Sequence, residues 1–118
     1  MIFARKITPG LTSLVKKIDA ATAKNRSSRM GSFVVFCSDE EGLEDKLKAL
    51  AKKEGLKHTV LSVDAPAGPR GYKIAKDAEV TVILYRGRRV KVNQAYGKGE
   101  FKEASVEKVV KELPKILN

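Results

Sequence analysis

The sequence predicts an α/β domain with a mixed central sheet and helices on both of its faces. Residues 33–54, FVVFCSDEEGLEDKLKALAKKE, join a continuous apolar run to an amphipathic segment, which is the pattern of a buried strand followed by a helix. Residues 80–85, VTVILY, are the strongest strand signal, and a Gly-containing turn leads from them into a second strand. Parallel units joined by helices therefore come first, and a hairpin with a closing helix completes the order βαβαβαββα.

The first strand and helix follow directly from Met1. Residues 2–5 are predicted as a short strand. Thr8 followed by Pro9 marks a helix start, because Thr can cap a helix and Pro is tolerated at its first position. The residues after this helix are polar and rich in turn formers, so a surface loop is expected there. The apolar face of the helix consists of Leu11, Leu14, Val15, Ile18 and Ala21.

The second strand, over residues 33–36, is expected to be central in a parallel sheet and buried on both faces by flanking helices. Ser38 and Glu41 have the spacing of a capping box, in which each side chain bonds an exposed backbone N–H at the helix start. Gly55 is the predicted left-handed end of this helix. The apolar positions of the helix are Leu43, Leu47, Leu50 and Ala51.

The next segments are a strand, a loop and a short helix. Thr59, Val60 and Val63 are β-branched and predict a third strand over residues 59–63. Residues 64–71 contain two Pro and two Gly, which exclude regular structure. A short helix is predicted over 72–76.

The hairpin and the closing helix complete the chain. The second hairpin arm, 90–96, is half polar and is expected at or near a sheet edge, with Val90, Val92 and Tyr96 on one face. Pro114 is expected to kink or restart the closing helix. The apolar face of that helix consists of Val106, Val109, Val110, Leu113 and Leu117.

Length and composition bound the class of protein. A chain of 118 residues, 42% of them hydrophobic, predicts one domain over residues 1–118. No apolar run approaches the roughly 20 residues of a membrane helix, so no membrane span is expected. The apolar run beside Met1 is also compatible with a domain trimmed at its N-terminus. The compartment stays open between the cytoplasm and an exported domain whose signal has been removed, and the oligomeric state stays open too.

Charge favours anionic partners without specifying one. The formal net charge is +10, from 24 Lys and Arg against 14 Asp and Glu. The acidic helix start has carboxylates at a spacing that could bind calcium, but without a ligand loop solvated charge is the favoured interpretation. His58 is the only histidine, which argues against a His-based metal site or a Ser-His-Asp triad. No metal or other cofactor is predicted.

Cys37 is the only cysteine, so neither an intramolecular disulfide nor a dithiol redox cycle can form within the chain. A reactive cysteine needs a thiolate stabilised by a helix N-terminus or by basic neighbours. Cys37 lies just ahead of a helix, but Asp39, Glu40 and Glu41 crowd the same turn and are expected to raise its pKa. The favoured interpretation is a buried structural residue, and a one-cysteine thiol reaction is the alternative.

The elements together resemble the thioredoxin superfamily. The resemblance lies in the element order over nearly the whole chain, and in VTVILYRGRRV, which looks like the family's strand, Gly-containing turn and second strand. It places Val80 where the family has the cis-proline that faces the active site. It implies the scaffold and not the oxidoreductase activity, because glutamates replace both redox cysteines. The positions that match the family's Cys-x-x-Cys are Glu41, Gly42, Leu43 and Glu44.

Basic side chains mark two further candidate sites. Arg70 follows a parallel strand, at the edge where such sheets bind ligands, and could hold an anion, although the loop around it matches no phosphate-binding fingerprint. The hairpin turn could contact phosphates, with Tyr85 or Tyr96 stacking on a base, but no nucleic-acid-binding signature accompanies it. Structural or solvated turns are the favoured interpretations of both. The basic residues of the hairpin are Arg86, Arg88, Arg89 and Lys91.

The predicted function is a non-redox thioredoxin-like domain that serves as a protein-binding or scaffold module, with another protein as its partner. The resemblance implies this role, since non-catalytic members use the same sheet as a recognition platform. One alternative is a thiol-dependent oxidoreductase that uses Cys37 or a cysteine pair upstream of Met1. The other alternative is a basic protein associated with nucleic acid. The prediction leans away from an enzyme.

Overall fold

A computed structural model describes residues 1–25, 27, 30–66, 78–86, 89–97 and 99–117. Its strands are β1 (Ile2–Ala4), β2 (Ser32–Cys37), β3 (Thr59–Asp64), β4 (Ala78–Arg86) and β5 (Arg89–Gly97). Its helices are α1 (Pro9–Lys24), α2 (Leu43–Glu54), α3 (Glu103–Glu112) and α4 (Pro114–Leu117).

The strands form one mixed sheet in the order β3-β2-β1-β4-β5, so the predicted α/β class with a mixed sheet is confirmed. β1, β2 and β3 are parallel, and β4 runs antiparallel to both β1 and β5. β2 lies between β1 and β3 and is the middle one of the three parallel strands, as predicted, while β1 holds the middle position of the whole sheet. This order arises because both crossovers advance in the same direction across the sheet.

The described helices share one face of the sheet. Right-handed crossovers that advance in one direction place α1 and α2 on the same side, and α3 packs against α1 there. The core on this face joins Leu14 of α1, Leu47 of α2 and Val106 of α3 to Phe36 and Val82 of the sheet. The opposite face buries a second cluster, Phe3, Val35, Cys37 and Ile83. The helix predicted over 72–76 lies outside the described residues.

Helix α1 begins as its sequence predicts. The Thr8 Oγ1 accepts a hydrogen bond from the Leu11 N–H at 3.2 Å, and Pro9 occupies the first turn. The cap satisfies one of the N–H groups that have no partner inside the helix. The predicted apolar face is buried at Leu11, Leu14, Val15 and Ile18.

Helix α2 begins later than its sequence predicts. Gly42 precedes it with φ +74°, a left-handed conformation that costs least without a Cβ, and no side chain caps the first turn. The Ser38 Oγ instead accepts from the Glu40 N–H at 3.1 Å, so the predicted capping box of Ser38 and Glu41 is wrong. The predicted end is confirmed, because Gly55 has φ +66°.

The hairpin contains a bulge that the sequence pattern does not show. Tyr85 pairs with Val90 and Leu84 pairs with Val92, so Lys91 is an extra residue on β5. Val92 packs against the helix-side core, whereas Val90 lies beside Tyr85 on the other face. The prediction that Val90 shares a face with Val92 and Tyr96 is therefore wrong, and the predicted edge position of this arm is confirmed.

The closing helix is interrupted at Leu113, and Pro114 begins α4, which confirms the predicted restart. Among the described helices, none is both long enough and apolar enough to cross a membrane.

Candidate functional site

Arg5 closes the carboxyl end of the parallel strands. Its Nε donates to the Ala78 carbonyl oxygen at 2.9 Å, and its Nη1 donates to the Pro66 carbonyl oxygen at 2.7 Å. Its backbone N–H donates to the Glu79 carbonyl oxygen at 3.1 Å. The guanidinium therefore joins the end of β1 to the residues after β3 and to the beginning of β4.

Cys37 is buried beside this arginine. Its side chain is 2% exposed, and burial raises the pKa of its thiol. The Arg5 guanidinium opposes that shift, while the Asp64 carboxylate adds to it. Helix α2 begins only at Leu43, so its N-terminus does not adjoin the sulfur. Burial and the raised pKa both favour the protonated thiol over the reactive thiolate.

The positions aligned with the family's active site are not brought together. Val80 is buried and pairs with Ala4 of β1 and Tyr96 of β5. Because β1 lies between β2 and β4, the Cα atoms of Val80 and Phe36 are about two strand spacings, or about 10 Å, apart. No cis peptide bond occurs among the described residues. Of the four motif positions, Leu43 is buried, and Glu41, Gly42 and Glu44 are exposed.

The acidic residues before and in the first turn of α2 form no candidate metal site within the described residues. Glu40 forms an ion pair with Lys46 at 2.8 Å, and its acidic neighbours are solvent-exposed. No group of three or more His, Cys, Asp or Glu side chains in the described part of the chain is placed to hold a metal ion. Arg70 and Arg88 lie outside the described residues.

Exposed apolar side chains collect at the amino end of the parallel strands, on the face opposite the helices. The large apolar residues with high exposure are Phe33 (41%), Val60 (54%), Tyr85 (37%) and Val90 (58%). Phe33 lies directly opposite Val60, and Tyr85 lies directly opposite Val90. We call these four residues the apolar stripe.

A groove of about 600 Å³ opens at the same end and continues the apolar stripe. Arg86 stands at its rim, and neither Arg86 nor Arg89 forms an ion pair with a described carboxylate. The Ser32 hydroxyl in its wall is already bonded to Thr22 and Thr59, at 2.9 and 3.0 Å. The groove is lined by Met1, Ile2, Ile18, Met30, Gly31, Ser32, Phe33, Val82, Ile83, Leu84, Tyr85, Arg86, Leu113 and Ile116. We call this cavity the amino-end groove.

The arrangement suits binding rather than catalysis. Apolar walls with a cationic rim accept apolar side chains that have acidic neighbours. Sequence reasoning identified Arg86, Arg89 and Tyr85 but expected Phe33 to be buried on both faces. The missed feature was the coverage of the sheet: Phe33 lies on the face opposite the described helices, at the amino end of its strand and beyond the buried Val35 of the same face.

Comparison with known proteins gives no match: no family model, no curated protein and no solved structure is similar to the chain.

Proposed function

We propose that the chain is a thioredoxin-like domain without dithiol chemistry, which binds a segment of another protein through its apolar stripe and amino-end groove. One observation carries this proposal. The exposed large apolar side chains of the described residues are confined to one end of one sheet face. Contiguous apolar surface of this kind marks interaction sites, whereas single scattered residues need no explanation.

The thioredoxin-like part of the proposal is supported by the element order, in which two parallel crossovers precede an antiparallel hairpin and a closing helix. The strand order departs from the expected layout by placing β1, and not β2, beside β4, and the described helices lie on one face rather than on the expected two. A binding role is favoured over thiol chemistry because the one thiol, that of Cys37, is buried at the opposite end of the sheet from the groove.

The rim charge indicates the chemistry of the partner. Arg86 and Arg89 are opposite each other at the end of the hairpin and exposed. We expect a partner segment in which apolar side chains stand next to Asp or Glu. Its apolar side chains would enter the groove, and its carboxylates would bond the guanidinium groups of Arg86 and Arg89. Such charge-assisted hydrogen bonds are stronger than neutral ones. Burying one half-exposed apolar side chain contributes about 1 kcal/mol.

Selection from a display library of random linear peptides tests the proposal. We expect the enriched peptides to share apolar residues flanked by Asp or Glu. The double variant Phe33→Ser and Tyr85→Ser should weaken their binding at least about tenfold, by removing the walls of the groove. The matched control, Glu41→Ser and Glu44→Ser, changes exposed residues near the carboxyl end and should bind as the original chain does.

Three results would contradict the proposal: no enrichment, equal loss in both variants, or no loss in either. Binding of single-stranded nucleic acid that weakens steeply as salt is raised would instead favour the nucleic-acid alternative.

A further inference from the structure

The two edge strands of the sheet are protected differently. Edge strands present unpaired backbone groups, and proteins usually block them with charges, proline or bulges. The β5 edge has Arg89, Lys91 and the bulge at Lys91. The β3 edge, TVLSVD, has no lysine, arginine or proline, and its pairing with β2 is regular over all six residues. An unblocked edge of this length is suited to accept another strand.

The backbone groups that face outward from β3 can be identified from its hydrogen bonds. The Ser38 N–H donates to the Asp64 carbonyl oxygen at 3.0 Å, and the Ser32 Oγ donates to the His58 carbonyl oxygen at 3.4 Å, so both carbonyls point toward β2. Strand alternation then directs the N–H and C=O groups of Thr59, Leu61 and Val63 to the free edge. Within the described sheet no strand pairs with that edge.

We propose that β3 pairs antiparallel with β3 of a second copy of this chain, joining the two sheets into one. A two-fold axis perpendicular to the sheet places the helix-side faces of both copies on the same side of the joined sheet. A residue can therefore pair only with a residue whose side chain lies on the same face. A register centred on Leu61 obeys this rule and sets the outward N–H and C=O groups of the two β3 strands opposite each other. Leu61 then faces Leu61 of the second copy, and Thr59 faces Val63, giving about six hydrogen bonds in total.

The side chains in this register are complementary. On the face opposite the helices, the exposed Val60 lies opposite Ser62 of the second copy, and His58, which precedes the strand, comes next to Asp64 of the second copy. These are non-hydrogen-bonded pairs, in which opposed side chains approach most closely. A histidine, His58, precedes the strand, and an aspartate, Asp64, ends it. Antiparallel pairing of two copies therefore brings each histidine next to an aspartate and no like charges together.

Helix α2 supports the same occupant. It packs on β3, with Glu44 and Asp45 in its first turn and Lys52 and Lys53 in its last turn. The two-fold axis sets the two α2 helices antiparallel, so the acidic turn of one lies toward the basic turn of the other. A foreign peptide at this edge would have no equivalent of this charge match.

A charge-swap experiment tests both the contact and its register. The double variant Val60→Lys and Ser62→Lys places like charges opposite each other across the interface, whereas Val60→Lys with Ser62→Glu places opposite charges there. Sedimentation velocity over about a hundredfold range of concentration, at about 0.15 M salt to screen the net charge of each copy, measures the dimer. We expect the Lys/Lys variant to raise the dimer dissociation constant at least about tenfold and the Lys/Glu variant to restore it.

A second measurement needs no substitution. Hydrogen exchange at the amides of Thr59, Leu61 and Val63 should slow as the concentration of the original chain rises, while the amides of β5 should not change. The proposal is overturned if the original chain stays monomeric, if both variants associate equally, or if the β3 amides do not respond. The contact covers Val60 of the apolar stripe but leaves Phe33 and Tyr85 outside it. The variant Phe33→Ser with Tyr85→Ser should therefore lose peptide binding and still dimerise, which distinguishes failure of one proposal from failure of the other.

Discussion

The two ends of the parallel strands differ in how open they are. At the carboxyl end, the Arg5 side chain donates hydrogen bonds to the backbone carbonyls of Ala78 and Pro66, and Cys37 is buried. At the amino end, Phe33 and Tyr85 are exposed beside an open groove. Parallel sheets usually bind ligands at the carboxyl end. Here the Arg5 guanidinium bonds backbone carbonyls at that end instead. Strand direction therefore predicts the usual location of a binding site, whereas exposed apolar side chains beside an open groove show which end can bind a partner.

Alkylation of Cys37 is the largest expected effect and tests whether the carboxyl end is closed. The folded chain should react with iodoacetamide on the order of 10³-fold more slowly than the denatured chain, because the buried thiol must first be exposed by an opening motion. Its pKa is raised, so the folded state favours the protonated thiol. Stability linked to this group is complete below the ordinary pKa of 9.0 and falls as pH rises through the folded pKa.

Mass spectrometry of the alkylated chain at several pH values measures both rates. A fast folded rate below the ordinary thiol pKa would open the carboxyl end to chemistry and support the thiol-enzyme alternative.

Replacing Arg5 with Met should break the closed end. We expect a loss of about 2–3 kcal/mol in the free energy of unfolding, because two carbonyl acceptors lose a charged donor. Urea denaturation measures the loss. Lys6→Met is the matched control, since Lys6 is the exposed neighbour, and it should change little. Equal stability of both variants would mean that Arg5 does not hold this end together.

Gly10→Ala and Gly31→Ala compare packing at the two ends. A Cβ on Gly10 would stand 2.9 Å from the Phe101 carbonyl oxygen, whereas a Cβ on Gly31 would stand 3.7 Å from the Phe33 ring. The first change should cost about 1 kcal/mol after the gain in helix propensity, and the second should stay within about 0.5 kcal/mol. Thermal and urea denaturation check both, and a neutral Gly10→Ala would show that the Phe101 backbone moves freely.

Asp19→Asn is expected to have a smaller effect than Gly10→Ala and concerns the amino end. Partial desolvation acts to raise the pKa of Asp19, but hydrogen bonds from the His58 and Lys57 backbone N–H groups outweigh it and hold the pKa below its usual value. This stabilisation is therefore present above the unfolded pKa and is lost as pH falls through the folded pKa.

The variant should be less stable by about 0.5–1 kcal/mol at neutral pH and equally stable in acid, as urea denaturation at a series of pH values would show. A difference that persists in acid would mean that the carboxylate charge is not responsible.

Much of the fold could be predicted because its signals are local. Helix boundaries depend on hydrogen bonds and steric limits that act within a few residues. The residues that mark them are Thr8 and Pro9 at the start of α1, Gly55 at the end of α2, and Pro114 at the start of α4. The predicted start of α2 was wrong because the local sequence allows two helix starts. The helix begins after the left-handed Gly42, and Ser38 bonds the Glu40 N–H before the helix instead of capping it.

The candidate site could be predicted only in part. The basic hairpin with Arg86 and Arg89, the single thiol, and the amphipathic faces of α1 and α3 can be read from local patterns alone. Folding was needed to show that β1 separates β2 from β4, that the bulge at Lys91 turns Val90 toward Tyr85, and that Met30, Ile83 and Ile116 meet in one groove. Strand order and surface coverage depend on contacts between residues far apart in the chain, and no local pattern encodes such contacts.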